Sequence, residues 1–174
     1  MEKVKLQFFL ISLISILFIH LKAAVLTIEK VRLDYRNAVE NESVAKQLLA
    51  ELQHSGNQNI LFMGYQAATE ALMAKHAFMP TSKYSWCKKA MNHFEQAIAA
   101  APENLEIRYL RLAVEVNLPS ILGMSDDIPA DKQQIILSLP RSENTSLNKE
   151  VIRFLLDRKL CTPSEQETIK RLNK

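Results

Sequence analysis

Six prolines constrain this chain more than any other feature, because none falls inside a periodic stretch. Pro80, Pro102, Pro119, Pro129, Pro140 and Pro163 stand between segments whose apolar residues recur every three or four positions. Proline inside a helix removes a backbone bond and clashes with the preceding turn. Its confinement to the gaps therefore leaves each intervening segment free to be a helix. The chain holds only three glycines in 174 residues, far below the usual share of about 7%. That excludes glycine-rich phosphate loops, a many-turned β-sandwich and flexible linkers. Few segments alternate with period two, so the spacing predicts an all-α fold.

The segments read as follows. Ile28, Val31, Tyr35 and Ala38 line a first helix. Asn41 caps a second, with Val44, Leu48, Leu49 and Leu52 inward and Gly56 as its C-cap. Asn57 or Asn59 opens a long helix to about Phe78. Leu61, Tyr65, Leu72 and His76 run down one side of it, and Gly64, Ala68, Ala71 and Lys75 down another. Gly64 costs up to about 1 kcal/mol of helix propensity, which close approach of a neighbouring helix would offset. A helix after Ser82 carries Trp86, Ala90, Phe94, Ala97 and Ile98. The next, Leu105 to Asn117, is apolar nearly all round and is expected to be central. Shorter helices follow over Asp131–Leu139 and Leu147–Leu160. In Thr162-Pro163-Ser164-Glu165, a threonine cap, a proline at the first helical position and a glutamate three residues on mark the start of the last helix.

The N-terminus reads as a targeting segment. Lys3 and Lys5 precede sixteen residues without a full charge, Leu6 to Leu21, the layout of a secretory signal. The run is short of the roughly 20 residues that span a bilayer. Residues 1–23 are read as a signal peptide and residues 24–174 as one domain. An uncleaved anchor over residues 6–28 is the alternative. Loss of residues 1–23 removes three lysines and one glutamate and lowers the net charge from +3 to +1. A domain so nearly neutral, with its basic residues scattered, gives no support to nucleic-acid binding.

One motif rises above the background. Ala90, Phe94, Ala97 and Pro102 stand at offsets 0, 4, 7 and 12. The alanines let a partner helix cross closely, Phe94 fills the space between helix pairs, and Pro102 ends the helix so that the chain folds back. This segment resembles the second helix of a tetratricopeptide repeat. More broadly, Gly64 to Gly123 is similar to stretches of small exported bacterial proteins, over about a third of the chain. The resemblance implies antiparallel helical hairpins and export, and no particular activity. Asn41–Leu52 and Asp131–Leu139 depart from the repeat pattern, so the array is expected to be degenerate and compact.

Candidate sites are few. Arg108, Arg111 and Glu115 fall on one helix face at i, i+3 and i+7, and Arg111 can pair with Glu115 one turn on. They read either as an ion-pair network that locks helix crossings or as a groove that grips a carboxylate or phosphate. In the second reading Lys75, Tyr65 and Tyr109 join them. His76, Cys87 and His93 are a thin basis for a metal site. Asp126, Asp127 and Asp131 lack the regular alternation of a calcium loop. Cys87 and Cys161 either pair across a long loop or lie apart as buried thiols. No nucleophile elbow, zinc-protease or P-loop pattern is present. No cofactor or metal is expected. The sequence therefore points to a non-enzymatic exported domain that binds a protein or peptide in the bacterial envelope. Its groove would be lined by the Gly64–Lys75 face and the Leu105–Asn117 helix. A small-ligand or enzymatic pocket around Arg108 and Arg111 and a membrane-anchored structural protein are the alternatives.

Overall fold

The computed structural model describes residues 26–55 and 59–172. Residues 1–23, read above as a signal peptide, and Gly56 and Asn57 lie outside these. The described chain is all-helical, without a strand. Its helices are α1 (Ile28–Ala38), α2 (Glu42–Ser55), α3 (Ile60–His76), α4 (Pro80–Ala100), α5 (Leu105–Glu115), α6 (Ile128–Ser138), α7 (Thr145–Asp157) and α8 (Pro163–Leu172). Short 3₁₀ turns at Ser120–Leu122 and Leu139–Arg141 flank α6. None of the described helices is long and apolar enough to cross a membrane.

The helix starts follow local chemistry. Asn41, Asn59, Asn104 and Asn144 each turn a side-chain oxygen onto backbone N–H groups at the start of α2, α3, α5 and α7. Those N–H groups have no partner inside the helix, so each asparagine satisfies donors that would otherwise be open. Thr162 and Glu165 exchange reciprocal bonds at 2.7 and 3.3 Å, the capping box that their spacing predicts. Three helices begin earlier than expected, one of them α7, which starts at Thr145 and not at Leu147. α4 starts at Pro80 and α6 at Ile128, one residue before Pro129. Proline is tolerated in a first turn because its missing N–H would be unpaired there. Asp131 consequently lies inside α6 and caps nothing.

Helices α1 to α6 each pack on the next, with the largest contact between α3 and α4, and α7 packs on α8. Two helices are central. α3 buries ten of its 17 residues, and α5 buries seven of its 11. α5 belongs to two cores. Ile107 and Leu110 join Val31, Leu48, Phe62, Tyr65, Ala68 and Phe94. Leu105 and Leu112 join Ile135, Val151, Leu155 and Ile169. Ala90, Phe94 and Ala97 are wholly buried along α4. The space beside Gly64 is occupied by the chain itself, since a Cβ there would stand 3.0 Å from Ile107 Cγ1. The face expected to line an open groove is thus sealed at Gly64 by α5.

Candidate functional site

α5 is less apolar than its sequence suggests, for Glu106, Arg111 and Glu115 are among its buried residues. They separate into two polar stripes. The first, Arg108, Arg111 and Glu115, faces α6. Arg111 grips Asp131 in a fork, Nε to Oδ2 at 2.7 Å and Nη2 to Oδ1 at 2.8 Å, and gives Nη1 to Asp127 at 2.7 Å. Arg108 donates to Asp131 Oδ1 at 2.7 Å and to the Pro102 carbonyl at 2.8 Å. Asp131 is 0% exposed and Arg111 5%. The anticipated partner, Glu115, is the weakest of the set, 3.9 Å from Arg111 Nε. Its Oε2 is buried without a hydrogen bond. Burial drives the Glu115 carboxyl up to about 7; Arg111 opposes the shift, and Asp127, Asp131 and Asp126 add to it. The dominant anion of this stripe is Asp131, twenty residues from Arg111. Two of the three aspartates weighed for calcium, Asp127 and Asp131, are here acceptors for arginine.

The remaining predicted residues scatter. Lys75 donates to Glu40 Oε1 and to the Val39 carbonyl, both at 2.7 Å, which ties the end of α3 to the α1–α2 turn. It does not join Arg108 and Arg111. His76 Nε2 lies 3.1 Å from the Ala38 carbonyl, and His93 Nδ1 lies 2.6 Å from Glu70. Among the described residues no three such side chains are placed to hold a metal ion. Cys87 and Cys161 are buried, unpaired thiols whose ionisation burial opposes. Glu70, wholly buried on α3 with His93, Lys89 and Gln66 around it, was not singled out in the sequence.

The second stripe of α5 is Glu106, Tyr109, Leu110 and Ala113, and it opens onto a cavity of about 280 Å³. Glu29, Arg32, Tyr35 and Arg36 of α1 form another wall, Tyr65 of α3 a third, and Asn144, Ser146, Leu147 and Glu150 at the start of α7 a fourth. At its floor Arg32 forks onto Glu106, Nε to Oε1 at 2.8 Å and Nη2 to Oε2 at 2.6 Å. Tyr65 adds its hydroxyl to Glu106 Oε1 at 2.6 Å. Tyr35 meets Tyr65 edge-on with ring centres 5.5 Å apart, and Tyr109 meets Phe154 the same way. Across from the floor, Tyr109 donates to Glu150 Oε1 at 3.1 Å. Burial, reinforced by Glu106 or Glu150, pushes all three tyrosine hydroxyls up. They are neutral donors at physiological pH.

Tyr65 and Tyr109 are therefore the two predicted residues that line the cavity, while Lys75, Arg108 and Arg111 do not. Arg32, Tyr35 and Glu150 were missed, and Glu106, which begins the charged stretch of α5, had no partner assigned to it. The signal available for α1 was the i, i+3 spacing of Arg32 and Tyr35, a polar group beside an aromatic on a helix otherwise read only for its apolar face. Comparison with protein-family models, curated proteins and solved structures finds no match to the chain. Its chemistry must be argued from the cavity. Three tyrosine rings, the Arg32–Glu106 pair and the Glu150 carboxylate, which has no counter-ion among the described residues, offer surfaces for binding.

Proposed function

We propose that residues 1–23 direct export and that residues 24–174 form one domain of antiparallel helical hairpins, a degenerate tetratricopeptide-like array. Its work is to bind a peptide or another protein in the bacterial envelope, and not to catalyse a reaction. The repeat resemblance rests on the spacing of Ala90, Phe94, Ala97 and Pro102 in the sequence. The binding reading rests on one observation: a cavity of about 280 Å³ into which α1, α3, α5 and α7 all project polar or aromatic side chains. That volume is just under the smallest small-molecule pockets, of about 300 Å³. It suits one amino-acid side chain presented by a partner. The pocket once considered around Arg108 and Arg111 finds no such support, because both guanidinium groups are committed to Asp131, Asp127 and Pro102.

A photo-crosslinking residue in place of Arg36, at the exposed rim, tests this in cells that export the chain. The expected result is an adduct with an envelope protein that is absent when the same group replaces Lys170, which does not line the cavity. No adduct from position 36 overturns the reading. N-terminal sequencing of the native protein separates export with cleavage, starting near residue 24, from an anchor retained at Met1.

A further inference from the structure

Two carboxylates of the cleft, buried Glu106 and half-buried Glu150, are in different electrostatic states. Glu106 is neutralised by the Arg32 fork and also accepts from Tyr65. Glu150 is half-buried and receives only the neutral Tyr109 hydroxyl. No lysine, arginine or histidine among the described residues lies within ion-pair distance of it. Arg153, one turn along α7, is exposed and makes no bridge to it. Carboxylates withdrawn from water are normally paired. This one lines both the cavity whose walls carry Tyr35, Tyr65 and Tyr109 and a more open hollow on α7 beside Lys149 and Arg153, and its one hydrogen-bond partner, Tyr109, belongs to the cavity. An aromatic face attracts a cation through its quadrupole, and a carboxylate adds a charge-assisted hydrogen bond.

The geometry points to a cation-selective cleft. Its ligand is an ammonium or guanidinium group on an apolar stem, with Glu150 as the anionic acceptor and the tyrosine rings around the stem. Arg36 and Glu29 are exposed at the rim, and inside the cleft Arg32 is committed to Glu106, which leaves Glu150 as the inner charge without an ion-pair partner among the described residues. This inference rests on the cleft being the binding place. It adds that the group recognised carries positive charge.

The test is a titration of the full chain with four probes, followed by the NMR signals of the tyrosine rings. The probes are lysine capped as acetyl and methylamide, the equally capped norleucine and glutamate, and free n-pentylamine. Capped lysine should bind about tenfold or more tighter than capped norleucine, the range of a hydrogen bond to a charged group. Glu150→Gln should abolish that preference while its melting temperature stays within a few degrees of the parent. If Glu150→Gln fails to fold, Tyr109→Phe keeps the test alive, since it removes only the hydroxyl that aims the carboxylate and should weaken capped lysine several-fold. Equal binding of the lysine, norleucine and glutamate probes overturns cation selectivity and leaves the cleft as a binding site. Pentylamine binding as tightly as capped lysine upholds the cation and assigns it to a free amine, against the peptide reading. No response of the tyrosines to any probe at millimolar concentration overturns both.

Discussion

One helix, α5, carries two polar stripes that differ in whether their main charges meet opposite charges within the chain, Glu115 Oε2 being the one atom of the closed stripe that is buried without a hydrogen bond. On the α6 side, Arg108 and Arg111 find Asp131 and Asp127, and nearly every strong donor has a carboxylate within 2.8 Å. On the α1 and α7 side, Glu106 is satisfied but Glu150 is not, and a cavity separates them. Two arginines one turn apart read in sequence either as a lock between helices or as a ligand clamp. Here they hold α5 to α6. The open stripe is built around tyrosines and glutamates, residue types that look like ordinary surface when read one at a time. Completion by the chain's own groups marks a structural role, and an unfilled valence beside a cavity marks a site.

The sharpest way to break this comparison is to remove the anion at the centre of the closed stripe. Asp131→Ala leaves Arg111 buried with only exposed Asp127 and distant Glu115, and takes the side-chain acceptor from Arg108 as well. Stranding one partner of a buried pair costs about 3–5 kcal/mol, and urea unfolding should show a loss of that size. A loss under about 1 kcal/mol would mean that water reaches the arginines, and the distinction between closed and open stripes would fail.

Glu115 tests the same stripe through pH. Its carboxyl is held up to about 7 from an ordinary 4.5, with burial as the main cause. Below both values the folded and unfolded chains each hold the proton. Between them the folded chain keeps a proton that the unfolded chain releases, so stability falls as pH rises through this window and levels off above about 7. The drop amounts to about 3 kcal/mol. Glu40, Glu42, Glu51 and Glu165 are held below their ordinary value by lysine partners. Their contribution is lost in the opposite direction, at lower pH, and the two windows do not overlap. Glu115→Gln mimics the protonated group. Its urea midpoint should match the parent near pH 4.5, exceed it at pH 8, and show no decline between. A parallel decline in both proteins would assign the pH dependence elsewhere.

How much of this was visible in the sequence follows from the range of each interaction. Caps such as Asn41 and Asn59 and the Thr162-Pro163–Glu165 box act within four residues and were legible from spacing, whereas Pro80 and Pro129 were read as gaps and proved to lie in first turns, and Asn144 was read as loop. The burial of Ala90, Phe94 and Ala97 was legible for the same reason, since helical period alone puts them on one face. Partner choice across helices was not legible. Arg111 had Glu115 one turn away and Asp131 in another helix, and only packing decides that the second carboxylate comes closer. The cleft draws on four helices, and no local pattern brings Tyr35, Tyr65, Tyr109 and Glu150 together. Tyr65 and Tyr109 could be named singly, without their company.

The smallest predicted effect concerns the third seam of α5, the apolar line through Ile107 that holds the two stripes at fixed positions against α3. Gly64→Ala should gain about 1 kcal/mol of helix propensity. The added methyl, however, would meet Ile107 Cγ1 at 3.0 Å, and overpacking of that kind costs about 1–3 kcal/mol. The net expectation is a destabilisation of about 1 kcal/mol. Ile107→Ala removes the obstructing atoms, so in that background the Gly64→Ala change should reverse sign and stabilise. A double-mutant cycle in urea measures this coupling directly. A stabilising Gly64→Ala in the parent would show that α3 and α5 can move apart. The fixed spacing that keeps one stripe shut and the other open would then have to come from the α6 and α1 contacts alone.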